Sequence, residues 1–377
     1  MPFADSYHKF SDIYTKSRFY NQDFRLMKSA ERIIIIGGGL SGLTLAWLLL
    51  KKGLEATILE ASPRLGGRIQ TITGALGTPL EIGATWFSDL HVNLLELIGD
   101  LGLIKYPQFS EGISLFQTKS FEPPQKFYVP AADQPSYRIA GGTQLLIEKL
   151  AQQLNSDQVH LNKKVTGIYE IADGLKINTA DGNIYGADCA IICLSPQVSA
   201  TIDFVPDLPE VVSEILPAVQ TWMAGSVKFT LEYSKPFWRQ AGYSGMLYSH
   251  AGIVMEMYDH TNLEEDKFGF TGFLNSAAAG YSQEVRRELV LKQLSELFGP
   301  EILQPATYLD KAWTDEFILN GHSAIGRPHQ NNGHPALHSP YLGGKLYFCG
   351  TETAKIHSGY MEGAVIAARS IAYRLLQ

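Results

Sequence analysis

Apolar positions along this 377-residue chain change their spacing several times, and each change marks an element. Ile33–Ile36 is an unbroken apolar run, the pattern of a central parallel strand covered on both faces. Residues 43–50 (LTLAWLLL) continue as an apolar helix, and Ala56–Leu59 forms a second strand. Further on, RIAGGTQLLIEKLAQQL reads as a glycine turn into an amphipathic helix. Short strands follow in VHLNKKVTGIYEI, GLKINTA and ADCAIICLSP, with hairpin turns at Asp173-Gly174 and Asp181-Gly182. Residues 205–344 alternate strands (SVKFTLEY, GMLYS, GIVMEMY, KFGFTGFL) with one charged helix over 282–298. The chain closes on a strand (LYFCG) and a helix from about Tyr360, and no internal repeat or low-complexity segment appears.

The spacing predicts an α/β protein. A Rossmann-like domain is assembled from 31–90, 137–204 and 345–377, and a mixed-sheet substrate domain from the inserts 91–136 and 205–344. Residues 1–30 are polar and aromatic and read as a tail. The first strand–helix–strand unit carries the clearest chemistry. Gly37 makes the tight turn of a GxGxxG element, Gly39 lets backbone approach a pyrophosphate, and Gly42 lets helix pack on strand. Leu40 and Ser41 open the helix, whose N-terminal N–H groups suit phosphate. Glu60 ends the second strand 18 residues after Gly42, the spacing of a carboxylate that binds a ribose diol and disfavours a 2′-phosphate. Gly66-Gly67-Arg68 follows Glu60 and Ala61 and separates FAD from NAD. It brings Arg64 and Arg68 to the phosphates, where guanidinium can pair bidentately.

Bulk properties narrow the class. A net charge of −7 gives no strong attraction to nucleic acid or anionic membrane. Cys189, Cys193 and Cys349 sit in apolar runs and read as core residues of a reducing compartment. No apolar stretch reads as a membrane span or signal peptide, which predicts a cytoplasmic protein. His322, His329, His334 and His338 are too loosely spaced, among Asn, Pro and Gly, to predict a metal site.

The chain resembles the flavin-containing amine oxidases, the monoamine and polyamine oxidase family. Four blocks carry the resemblance: GGGLSG…LEAS…GGR; Glu81-Ile82-Gly83-Ala84-Thr85-Trp86; GSVKFTLEYSKPFWR from Gly225 to Arg239; and Gly350-Thr351-Glu352-Thr353-Ala354…Ser358-Gly359-Tyr360-Met361-Glu362-Gly363-Ala364. It implies a glutathione-reductase-like, amine-oxidase-like fold with noncovalent FAD. Gly83, Ala84, Thr85 and Trp86 would pass the isoalloxazine ring, Val165 would hold the adenine, and Gly350 and Glu352 would contact the ribityl–phosphate region. A helix start at Gly359-Tyr360-Met361 would stabilise the negative charge of reduced flavin. The implied reaction is oxidation of a C–N bond: hydride equivalents pass from the amine's α-carbon to flavin N5, the imine hydrolyses, and oxygen gives hydrogen peroxide. A flavin desaturase or oxidase working on C–C bonds of a larger apolar substrate, and a non-catalytic FAD-binding protein, remain open beside it.

Four departures bear on substrate. Trp313 matches a tryptophan near the flavin. Nine positions later, where covalent relatives carry cysteine, this chain has His322, which excludes a thioether link and leaves a histidyl link open beside noncovalent FAD. Ser323 replaces one wall of the aromatic cage and Tyr360 matches the other, leaving Trp313, Phe317 or Tyr341 as substitutes. The stretch from Gly272 to Ala278, read as the place of the family's near-flavin lysine, has none, and Lys228 is not assigned that role. The insert 91–136 is shorter than the family's helical cap, so the substrate side should be open, covered by the tail or by a partner subunit in a homodimer.

Overall fold

The structure, a computed structural model, describes residues 32–314, 317 and 329–377. β1 (Ile33–Ile36) and β2 (Ala56–Leu59) flank α1 (Leu40–Leu50). The two strands lie in a five-stranded parallel sheet ordered Leu346–Phe348, Cys189–Ile192, β1, β2, Val159–His160. The unbroken isoleucine run has a direct cause. Ile33 and Ile35 enter one core with α1 and α2 (Met361–Leu375), while Ile34 and Ile36 enter a second core on the opposite face. That second core is covered by a four-stranded sheet, Ile184–Ala187, Gly174–Thr179, Val165–Ile171 and Asp203–Val205. Its hairpins turn at Gly174 and Gly182, whose φ of 123° and 83° only glycine adopts readily.

Gly42 sits where α1 crosses β1. A Cβ there would lie 2.1 Å from the Gly37 carbonyl oxygen and 3.1 Å from Ile35 Cγ2. The carbonyl cannot retreat without moving backbone. Gly42→Ala should therefore lower unfolding stability by about 1–3 kcal/mol despite the better helix propensity of alanine. An unchanged unfolding midpoint would show that α1 can shift away from the sheet at no cost.

A second sheet has seven strands, in the order Thr307–Ala312, β3 (Val227–Tyr233), β5 (Phe268–Leu274), β4 (Val254–Asp259), Tyr243–Ser249, Gly112–Gln117, Gln125–Val129. It is mixed, because Tyr243–Ser249 pairs parallel to Gly112–Gln117 while the other neighbours are antiparallel. The insert 91–136 is thus not only loop: it supplies helix Val92–Asp100 and the last two strands at one edge of this sheet. β3 alternates strictly. Val227, Phe229, Leu231 and Tyr233 join the helix Gln283–Phe298 in a third core. Lys228, Thr230 and Glu232 face the other way and are also buried. Glu232 accepts from the backbone N–H of Leu76 (3.1 Å) and Thr78 (3.0 Å), so the polar face of β3 docks on the turn between the paired strands Thr71–Thr73 and Pro79–Glu81. Among the described residues no helix is long and apolar enough to cross a membrane.

Candidate active site

Two adjoining cavities lie between the sheets. The first, about 280 Å³, runs from the turn after β1 toward the start of α2. It is lined by Gly37, Gly39, Leu40, Ser41, Glu60, Ala61, Arg64, Gly66, Gly67, Arg68, Ala84, Val165, Gly350, Gly359, Tyr360 and Met361, so most of the residues predicted to hold the cofactor come together here. Local geometry explains the fit. Gly39 and Gly66 form a bridge between the glycine turn and the loop after β2, and a Cβ on Gly67 would sit only 3.5 Å from Gly39 Cα. α1 and α2 both begin without a side-chain cap, and α1 has no acid in its first turn. Two helix N-termini therefore offer uncapped N–H groups beside one cleft, an arrangement that favours an anion. Glu60 is pinned by the N–H of Gly38 (2.6 Å) and of Ser62 (2.8 Å), which fixes its carboxylate at the cleft wall. These features suit a phosphate-bearing cofactor.

The remaining predicted contacts are placed differently. Glu352 is fully buried and lines neither cavity; both its oxygens accept from Arg68, at 2.7 and 3.1 Å. The bidentate partner of Arg68 is thus a carboxylate of the protein. Arg64 donates to the carbonyls of Leu65 (3.2 Å) and Ile69 (2.9 Å) and to that of Gly67, bracing the glycine loop. The Ser41 hydroxyl is given to the Cys349 carbonyl. Cys193, read as a core residue, is only half-buried and lines the cleft. Gly83, Thr85 and Trp86 open on the second cavity, and of their block only Ala84 reaches the first.

The second cavity is about 470 Å³ and shares Arg68, Ala84, Gly359, Tyr360 and Met361 with the first. Its walls are aromatic. Trp86 donates to Gln108 Oε1 (2.8 Å) and meets Tyr258 edge-on at 5.1 Å; Trp313 donates to the Ile82 carbonyl (2.8 Å). Among the candidate cage walls, Trp313 lines this cavity, but Phe317 lines the first one instead. Tyr341 packs against Phe348 and reaches neither. Trp222, which sequence reasoning passed over, lines the cavity with its ring 6.0 Å from Tyr360. His329 stacks on both, at 4.5 Å from Trp222 and 5.7 Å from Tyr360. The only sequence signal for Trp222 was an aromatic just ahead of the β3 block. His322 and Ser323 lie outside the described residues. Among those described, no three His, Cys, Asp or Glu side chains converge on a metal position.

The larger miss is Lys228. Its side chain is 1% exposed and reaches into the second cavity, donating to the Gly83 carbonyl (2.7 Å) and to Thr85 Oγ1. Burial pushes its ammonium down to about 7, against the attraction of Glu81 and with the repulsion of Arg138. Burial likewise raises the Glu81 carboxyl, which Lys228 pulls back. The cavity therefore does contain a lysine, contrary to the sequence reading.

A glycine-rich cleft that opens on an aromatic cavity holding a buried amine is the arrangement of a nucleotide-cofactor enzyme. Comparison with known proteins narrows it. The profile described as "Flavin containing amine oxidoreductase" matches residues 40–125 and 111–376. The chain belongs to this family and is an amine oxidase-like flavoenzyme. Relatives include a probable flavin-containing monoamine oxidase A of Dictyostelium discoideum, 25% identical over 90% of this chain and 96% of its own. The flavin-containing amine oxidase B of Canis lupus familiaris is 23% identical, over 91% and 86%. Among solved structures, a putrescine oxidase bound to putrescine superposes with a TM-score of 0.78 at 21% identity, covering 91% of this chain and 98% of that one. Cyclohexylamine oxidase from Brevibacterium oxydans also gives 0.78 at 21% identity, over 92% and 100%. At this identity the structures speak for the fold.

Proposed function

We propose that the chain binds FAD noncovalently in the first cavity and oxidises a small-molecule amine in the second, with molecular oxygen as acceptor. The observation that carries this reading is the junction: Arg68, Ala84, Gly359, Tyr360 and Met361 line both cavities, so the cofactor cleft opens directly on the aromatic compartment. Bound flavin supplies a two-electron sink, which the chain's own residues do not. In sum the amine loses two electrons and two protons to become an imine, water converts the imine to a carbonyl compound and a released amine or ammonia, and oxygen takes up the electrons and protons as hydrogen peroxide. The chain contributes placement and electrostatics. Tyr360, Trp222 and Trp313 offer apolar and cation–π surface to an amine. The uncapped start of α2 directs N–H groups toward negative charge developing nearby. Noncovalent attachment rests on His322 standing where covalent relatives have cysteine. We read 31–90, 137–204 and 345–377 as the cofactor unit and 91–136 and 205–344 as the substrate unit.

An amine can give up hydride only when its nitrogen is unprotonated. Anaerobic flavin reduction at subsaturating substrate should accordingly fall about tenfold per pH unit below the amine's own pKa. Stopped-flow bleaching of the flavin band between pH 6 and 10 measures this. A rate that stays flat through the acid range would eliminate amine oxidation and favour a substrate without a basic nitrogen.

A further inference from the structure

The polar face of β3 is covered by one hairpin and the chain that leaves it. Glu232 meets the backbone of Leu76 and Thr78 at the turn, and Lys228 meets the Gly83 carbonyl and Thr85 at the far end. Between them the Glu81 carbonyl accepts from Thr271 Oγ1 (3.2 Å), and Thr271 on β5 pairs with Thr230 on β3. Alternate residues of a strand, and directly paired residues of neighbouring strands, share a face. Glu81 therefore lies against the row Lys228, Thr230, Glu232, two residues before the carbonyl that Lys228 grips. Its carboxylate is buried and firmly held. Oε1 accepts from the Thr143 N–H and Oε2 from the Thr71 hydroxyl at 3.0 Å. Thr143 stands at the start of helix Gln144–Ala151, so the anion also meets the positive end of that helix.

Arg138 and His260 complete a buried group with Lys228 and Glu81. His260 Nε2 accepts from the Glu81 N–H at 3.2 Å and lies 3.3 Å from an Arg138 amino nitrogen. Burial, with Arg138 and Lys228 nearby, pushes His260 well below its usual range, so it is neutral. Glu81 is then the single anion of the four. The other groups around Lys228 do little to hold its charge. Arg138 repels it, and Glu256, reached across the sheet through Phe273, attracts it less than Glu81 does. Lys311, opposite on the neighbouring strand, turns to Gln70 Oε1 (3.1 Å) and the Trp313 ring. Arg68 is paired with Glu352. The rings of Trp86 (4.7 Å) and Phe273 (5.6 Å) favour a cation only modestly, and Tyr248, Tyr258 and Tyr360 complete the ionisable groups of the cavity. An ammonium buried here without a carboxylate would give up its proton, because burial favours the neutral amine.

We infer that Glu81 is a positioning residue that acts through Lys228: its carboxylate, itself fixed by Thr71 and Thr143, keeps the buried ammonium charged beside the cavity. The use of that charge in turnover rests on the oxygen-accepting reading above; the charge itself does not. Glu81 is kept ionised in return. Burial pushes its carboxyl up, and Lys228, the Thr143 donor and Arg138 pull it back. The two protons are thus linked, and removing either partner must move the titration of the other.

Lysine labelled with carbon-13 at Cε, in the flavin-loaded protein, reports the state of Lys228 directly by NMR. The wild type should show a resonance titrating at about 7, identified by its absence from Lys228→Met. In Glu81→Gln that titration should move down by about 1–3 pH units, while Glu81→Asp keeps it nearer the wild-type position. The glutamine amide can still accept from Thr143 and can donate to Thr71, so the hairpin keeps its contacts. Should Glu81→Gln fail to fold, glutamate labelled at Cδ in Lys228→Met reads the same coupling from the other partner. There the Glu81 carboxyl should titrate higher than in the wild type by a matching amount. A Lys228 titration unmoved in Glu81→Gln, or a Glu81 carboxyl indifferent to Lys228→Met, would reduce Glu81 to a brace for the hairpin and overturn the inference. Reoxidation of dithionite-reduced flavin by oxygen gives a second readout, and its decline with pH should move down together with the Lys228 titration. If oxygen reoxidised none of these proteins, the acceptor reading would fall, and the titrations alone would decide the role of Glu81.

Discussion

Arg68→Met should cost about 3–5 kcal/mol of stability, more than removal of its partner does. The asymmetry follows from burial. The Glu352 side chain is 0% exposed and that of Arg68 is 28% exposed, and the two form a bidentate pair at 2.7 and 3.1 Å. Deleting the cation strands a fully buried carboxylate that has no other donor among the described residues. Deleting the anion, as in Glu352→Gln, leaves a guanidinium that is already partly wet and can keep a hydrogen bond to the amide, so the loss should be about 1–2 kcal/mol. Denaturant unfolding of flavin-free samples measures both, and the double variant Arg68→Met/Glu352→Leu should recover part of the first loss. Because Arg68 lines both cavities, Arg68→Met should also retain less flavin on purification. Equal losses for the two single variants would mean that water reaches Glu352 and that the pair is not the buried pillar its geometry implies.

What could be read from the chain was whatever depends on neighbours in sequence. The β1–α1–β2 unit is legible because four consecutive isoleucines require cover on both faces and because Gly37, Gly39 and Gly42 meet geometric limits set within a few residues. The site was harder where one element's polar face meets another element. In SVKFTLEY the alternation marks Lys228, Thr230 and Glu232 as one face, and a polar face on an alternating strand is ordinarily wet. Here the loop before Gly83 covers it, and nothing within β3 announces that loop. Glu352 was read as a cofactor contact for the same reason. Its partner Arg68 stands 284 residues earlier, and only the fold brings them together. Tyr341 and Trp222 exchanged roles because aromatic type says nothing about direction, and direction is set by packing on Phe348 and beside Tyr360.

Lys228→Met should slow reoxidation of the reduced enzyme by oxygen about 10²–10³-fold while changing anaerobic reduction by amine far less. Oxygen gains electrons ahead of protons, so negative charge develops near a lysine that is itself buried. A cation fixed there by the Gly83 carbonyl and Thr85 stabilises that charge without first reorganising. The pH dependence carries a definite sign. Burial holds the group at about 7, so Lys228 is cationic below that pH and neutral above it. Reoxidation should decline as pH rises through about 7, whereas reduction should climb, because the substrate must lose its proton. Stopped-flow measurement of the two half-reactions separately would therefore give opposed slopes in the wild type. In Lys228→Met the reoxidation slope should vanish and the reduction slope remain. The substitution also removes the donor to Gly83, a loss of about 1–3 kcal/mol that is partly offset because no charge need then be buried. If reoxidation proved as fast in the variant and as pH-dependent as in the wild type, Lys228 would be a strut for the Gly83–Thr85 turn, and the charge that assists oxygen would have to come from elsewhere.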